Sequence, residues 1–85
     1  MPHVTWTKGG EATVTALEGD RISLLSTTPS APGSRPDGAL ASGAKLRLKV
    51  ARCRRQEQRF LLEGRLIDTT RETHAELSVL LKAGG

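Results

Sequence analysis

Eighty-five residues allow one domain with one modest core and leave no material for a second. Aromatic residues make up 2%, Trp6 and Phe60 alone, so the core has to be aliphatic. The single cysteine, Cys53, excludes an internal disulfide and a multi-cysteine zinc site. The net charge of +4 is unevenly placed: residues 1–42 sum to −1 and residues 43–85 to +5, with seven cations between Lys45 and Arg59 opposed only by Glu57. Such a concentration attracts anions: phosphates, a nucleotide, nucleic acid or an acidic protein face.

Residues 1–10 contain Trp6 and the pair Gly9-Gly10 and read as an N-terminal arm. They hold no apolar run, and stretches such as Val79-Leu80-Leu81 are far too short to span a bilayer. A cytoplasmic location without membrane association is therefore the expectation. Glu11–Leu17 alternates, with Ala12, Val14 and Ala16 on one face. Arg21–Ser26 alternates likewise through Ile22 and Leu24. Glu18-Gly19-Asp20 between them predicts a three-residue hairpin loop, with Ala16 opposite Ile22 and Val14 opposite Leu24.

Residues 27–44 are rich in Pro, Gly, Ser and Ala. A loop this long is unusual inside so small a domain, so a short edge strand is expected near Gly38–Ala41. Lys45–Val50 is the clearest strand: Leu46, Leu48 and Val50 point one way, Lys45, Arg47 and Lys49 the other. Arg59–Ile67 is its expected hairpin partner, with Phe60, Leu62 and Leu66 inward, Gly64 at a close backbone approach, and the turn at Arg55–Gln58. Thr69-Thr70-Arg71-Glu72 fits a capping box with Thr69 as N-cap. A helix to about Lys82 follows, striped by Leu77, Leu80 and Leu81 and ended by Gly84-Gly85. The expected architecture is mainly β: one domain over residues 11–82, an antiparallel barrel or strongly twisted sheet closed by a C-terminal helix, with residues 83–85 as a tail.

Arg21–Leu25, the loop Pro29-Ser30-Ala31-Pro32-Gly33, Lys45–Val50, Phe60-Leu61-Leu62-Glu63-Gly64-Arg65-Leu66 and the closing helix together resemble a divergent PilZ-like domain of bacterial signalling and motility proteins. The resemblance implies a six-stranded barrel followed by a helix. It also implies a site that departs from the family's pattern. Cyclic di-GMP-binding PilZ domains carry an Arg-x-x-x-Arg motif before the first barrel strand and an Asp/Asn-x-Ser-x-x-Gly motif in the early strands. Here no arginine precedes Glu11, and no Asp/Asn-x-Ser-x-x-Gly string occurs. A literal Arg-x-x-x-Arg spans Arg55 to Arg59, but in the late hairpin turn. The implied function is that of an adaptor that binds a protein partner, as monomer or homodimer, without cyclic di-GMP or another cofactor.

The residues offer three binding readings. Lys45, Arg47, Lys49, Arg52, Arg54, Arg55, Arg59 and Arg65 form a candidate surface for an acidic protein partner. The plainer reading is a solvated outer face whose lysines guard a strand edge. Arg52, Arg54, Arg55 and Arg59 could alternatively form a displaced site for a cyclic dinucleotide. Nucleic acid is a third candidate, disfavoured because small barrels that bind single strands stack bases on exposed aromatics. In a register setting Lys49 against Glu63, Arg47 against Arg65 and Lys45 against Ile67, two guanidinium groups would oppose one another. Trp6 is either a docking anchor or a cover for one open end of the barrel. Cys53, flanked by cations, lacks an orienting His, Asp or Glu nearby, and His3 and His74 share no metal-ligand spacing. No nucleophile elbow, P-loop or dinucleotide fingerprint occurs, so no enzyme and no metal are expected.

Overall fold

A computed structural model describes residues 2–84, with side chains described through residue 81. Its strands are β1 (His3–Trp6), β2 (Glu11–Glu18), β3 (Arg21–Ser26), β4 (Asp37–Leu40), β5 (Lys45–Gln56) and β6 (Arg59–Ile67), followed by helix α1 (Arg71–Gly84). All pairings are antiparallel and close a barrel in the order β1-β2-β3-β6-β5-β4. The mainly β, six-stranded barrel with a C-terminal helix is thus the fold that the sequence led us to expect. The tail at 83–85 falls partly outside the described residues, and α1 itself runs to Gly84.

The core is aliphatic, as the composition required. Val14, Leu24, Leu48 and Leu62 are fully buried, and Ile22, Leu46 and Val50 nearly so. These side chains come from alternate positions of β2, β3, β5 and β6, and paired residues share a face. Two departures from strict alternation shape the barrel. The register shifts between Val14 and Ala16 in β2, with Thr15 the extra residue, and between Val50 and Arg52 in β5, with Ala51 the extra residue. Each is a β-bulge, which bends its strand and reverses the inward and outward phase beyond it. Gly64, between Val50 and Ile22 in register, allows the bend in β5: a Cβ there would collide with the Lys49 carbonyl.

The expected N-terminal arm is largely strand. β1 pairs with β2 on one side and β4 on the other, and Val4 is fully buried. The expected edge strand is β4, and it is no edge, because β1 covers it. The first hairpin is tighter than expected. Glu18 pairs with Arg21 across Gly19-Asp20, and Leu17, not Ala16, faces Ile22, while Val14 does face Leu24. Gly19 takes the left-handed φ of +61° that such a turn needs.

The helix starts one residue later than the capping box suggested. Thr70 Oγ1, not Thr69, accepts the Thr73 amide N–H at 3.2 Å. Helix α1 packs across the end of the barrel that carries the β2–β3 and β4–β5 turns. Ser42 donates to Glu76 Oε2 at 2.6 Å, and His74 Nε2 lies 2.7 Å from the Gly19 carbonyl. Thr73 and Leu77 face inward and Leu81 packs against the core, whereas Leu80 is 39% exposed and Val79 64%. The buried stripe is therefore Thr73–Leu77–Leu81, at i, i+4 and i+8, and not the expected Leu77–Leu80–Leu81 set. Among the described residues no helix is long and apolar enough to cross a membrane.

This packing yields a test. Leu77→Ala should lower unfolding stability in urea by about 2–5 kcal/mol, the range for emptying a buried leucine site. Val79→Ala should change it by no more than about 0.5 kcal/mol. Equal effects would mean that α1 does not dock through Leu77.

Candidate functional site

All the candidate cations but Arg55 lie on the outer surface of the adjacent strands β5 and β6. The observed pairing puts Arg47 opposite Ile67, Lys49 opposite Arg65 and Arg52 opposite Glu63. Before the bulge this is a slip of two residues from the register suggested by the sequence. Arg47 consequently does not oppose Arg65, and Lys45 pairs with Ala39 of β4 beside a different neighbour set. The like-charge opposition persists in another form. Arg65 has Lys49 on one side and Arg21 on the other, so Lys49, Arg65 and Arg21 form an unbroken cationic row across three strands, ended by Glu18 of β2. Arg21 was missed by sequence reasoning because it belongs to the acidic half of the chain and joins the row only through β3–β6 pairing.

The next row toward the β5–β6 turn holds Ala16, Ser23, Glu63 and Arg52, and the one after it Thr13, Leu25, Leu61 and Arg54. Both bulges fall at the level of the Ser23–Glu63 pair. There the surface sinks into an open cleft of about 370 Å³ whose walls include Arg21, Arg52, Glu63 and Arg65. Leu25 and Leu61 lie side by side, half-buried, and give the basic surface a small apolar spot. Among the described residues, Arg47 alone of the candidate cations is ion-paired, 3.6 Å from Asp68. An exposed pair of that kind contributes little to stability.

Arg55 does not share this surface. It pairs with Phe60, which pairs with the fully buried Ser26, so Arg55 stands on the concave side of the hairpin. Arg59 pairs with Gln56 on the convex side, across a turn confined to Glu57-Gln58 rather than Arg55–Gln58. The four arginines of the alternative dinucleotide site therefore divide between two faces.

Trp6 is 5% exposed, and its indole N–H donates to Ser26 Oγ at 3.0 Å. It closes the barrel end opposite α1. Covering the open end is the role that its position fits. A cleft of about 430 Å³ lies beside it, between Lys8 and the loop carrying Pro29, Arg35 and Pro36. Phe60 is half-buried against the core. Trp6 is too deeply buried for a nucleic-acid base to stack on it.

Cys53 is half-buried and faces inward, opposite Leu62. His3 Nε2 lies 3.3 Å from Glu11 Oε2 on the surface. Among the described residues no three His, Cys, Asp or Glu side chains gather as a metal site. Compared with protein-family models, curated proteins and solved structures, the chain matches none.

The cationic row makes a prediction about stability. Arg65 is exposed, so Arg65→Glu removes no packing and turns two like-charge neighbours into attractive ones. Tm should rise at low ionic strength, and the gain should shrink as salt screens the surface. A fall in Tm, or a gain indifferent to salt, would show that the row carries no electrostatic tension.

Proposed function

We propose that the domain is a non-catalytic interaction module, PilZ-like in architecture, that regulates a partner in bacterial signalling or motility by binding an acidic protein surface without cyclic di-GMP. The observation that carries this reading is the outer surface of β3, β6 and β5, where Arg21, Lys49, Arg52, Arg54 and Arg65 stand in adjacent rows without ion pairs among the described residues. Cations gathered on one face without ion pairs favour any partner that supplies carboxylates. The apolar pair Leu25 and Leu61 at the same level offers a desolvated contact inside a charged rim, the usual composition of a protein interface. A six-stranded antiparallel barrel followed by a helix is the architecture implied by the likeness to PilZ domains. The missing nucleotide motifs, and the division of Arg55 from Arg52, Arg54 and Arg59, support an adaptor over a cyclic-dinucleotide sensor. A cytoplasmic setting and a monomer or homodimer complete the reading.

Isothermal titration of the purified chain with cyclic di-GMP should give no binding heat at roughly 100 μM ligand. Micromolar or tighter binding would overturn the adaptor reading. Loss of that binding in the double variant Arg55→Ala, Arg59→Ala would then place the nucleotide at the hairpin.

A further inference from the structure

β5 is the longest strand, and its two edges are treated differently. One edge pairs with β6 along the whole hairpin, to Gln56↔Arg59. The other pairs with β4 only as far as Arg47. The chain preceding β4 then continues the pairing without being a strand. Leu48 N–H donates to the Pro36 carbonyl at 3.2 Å, Val50 N–H to the Ser34 carbonyl at 2.9 Å, and Gly33 N–H to the Val50 carbonyl at 2.7 Å. There it stops. Ser34 N–H turns back onto the Ala31 carbonyl at 3.0 Å, and the chain leaves the edge. Among the described residues no main-chain hydrogen bond reaches that edge beyond Val50, although the strand runs on from Arg52 to Gln56.

An open edge is a template for another strand. This one is roughly 17 Å long at the usual rise per residue. Beyond the bulge, the side chains beside it are Arg52 and Arg54 on the convex side and Arg55 on the concave side, all exposed. A second copy of the same edge would set these arginines against their own kind, which disfavours self-pairing. An acidic segment meets the opposite condition. Its carboxylates can face the guanidinium groups while its main chain meets the unpaired amides and carbonyls.

The geometry points to strand addition: the edge of β5 from Arg52 to Gln56 receives an extended acidic peptide, antiparallel to β5 and in line with Gly33–Pro36, so that the partner continues the strand that the domain itself leaves unfinished. This rests on the adaptor reading above and specifies how the partner is held. Main-chain bonds supply the alignment, and alternate glutamates or aspartates of the guest supply the complement to Arg52 and Arg54.

The test uses the intact chain and a short labelled peptide of alternating glutamate and valine, beside the same peptide N-methylated throughout. The unmodified peptide should bind, and it should slow amide exchange at Cys53 and Arg55, whose main-chain groups face the open edge in this pairing. The N-methylated peptide should bind at least about tenfold more weakly, since it offers no main-chain donors. Arg54→Glu should weaken the unmodified peptide by a similar factor at low salt. If both peptides bind equally and neither protects those amides, strand addition is wrong while a basic docking face stands. If neither peptide binds even at low salt, strand addition falls and the acidic-partner reading falls with it.

Discussion

One extra residue in β5 decides which side chains of this barrel meet oil and which meet water. Leu46, Leu48 and Val50 set an inward phase with a period of two. Continued unbroken, that phase would carry Arg52 and Arg54 into the barrel and turn Cys53 out. The bulge at Ala51 absorbs a residue, so Cys53 faces Leu62 and packs on the core while Arg52 and Arg54 stand outside opposite Glu63 and Leu61. Burying an unpaired guanidinium would cost several kcal/mol, a large share of the stability of a domain this size. The bulge is therefore a condition for the fold, and the basic surface is its consequence.

The bulge depends in turn on Gly64. A β5 that bends sharply brings the Lys49 carbonyl onto the strand beside it, at a position where any side chain would collide. The second bulge, at Thr15 in β2, lies at the same level around the barrel, since Ser23 pairs with Ala16 on one side and Glu63 on the other. Bending two strands at one level lets a short-stranded sheet close on itself with aliphatic side chains filling the centre. It also makes the outward dip beside Arg21, Arg52 and Arg65. Core closure and the shape of the charged face thus share one cause.

Much of the fold was legible in the sequence because it rests on local signals. The alternation in Lys45–Val50, the Gly19 turn and the leucine-bearing helix each declare themselves within a few residues. What stayed hidden depends on distant partners. β1 is only His3–Trp6, too short for periodicity to separate from coil, and it holds its place because β2 and β4 flank it. The β5–β6 register escaped for a different reason. A slip of two residues keeps every side chain on its own face, so the hydrophobic pattern is blind to it, and only the two-residue turn at Glu57-Gln58 together with the bulge at Ala51 fixes it. That slip determines which charges are neighbours. The sequence accordingly showed that the face is basic but could not show that Arg21 joins it or that Arg55 leaves it. The cap moved by one residue because Thr69 and Thr70 carry the same chemistry, and only the hydroxyl that reaches the Thr73 amide distinguishes them.

The unfinished edge and the unpaired cations are consistent with a single account. A barrel closes to remove strand edges, and this one does so around its core with β1, β4 and the segment Gly33–Pro36. At the level of Val50 that covering ends, yet β5 continues to Gln56 against β6, whose other edge stays paired with β3 as far as Phe60. The edge left open on β5 carries exposed arginines. Under the proposed strand addition, those arginines disfavour a second copy of the edge, and the same charge favours a guest of opposite sign. Protection and recognition then need no separate residues: the side chains that forbid the wrong strand define the chemistry of the right one.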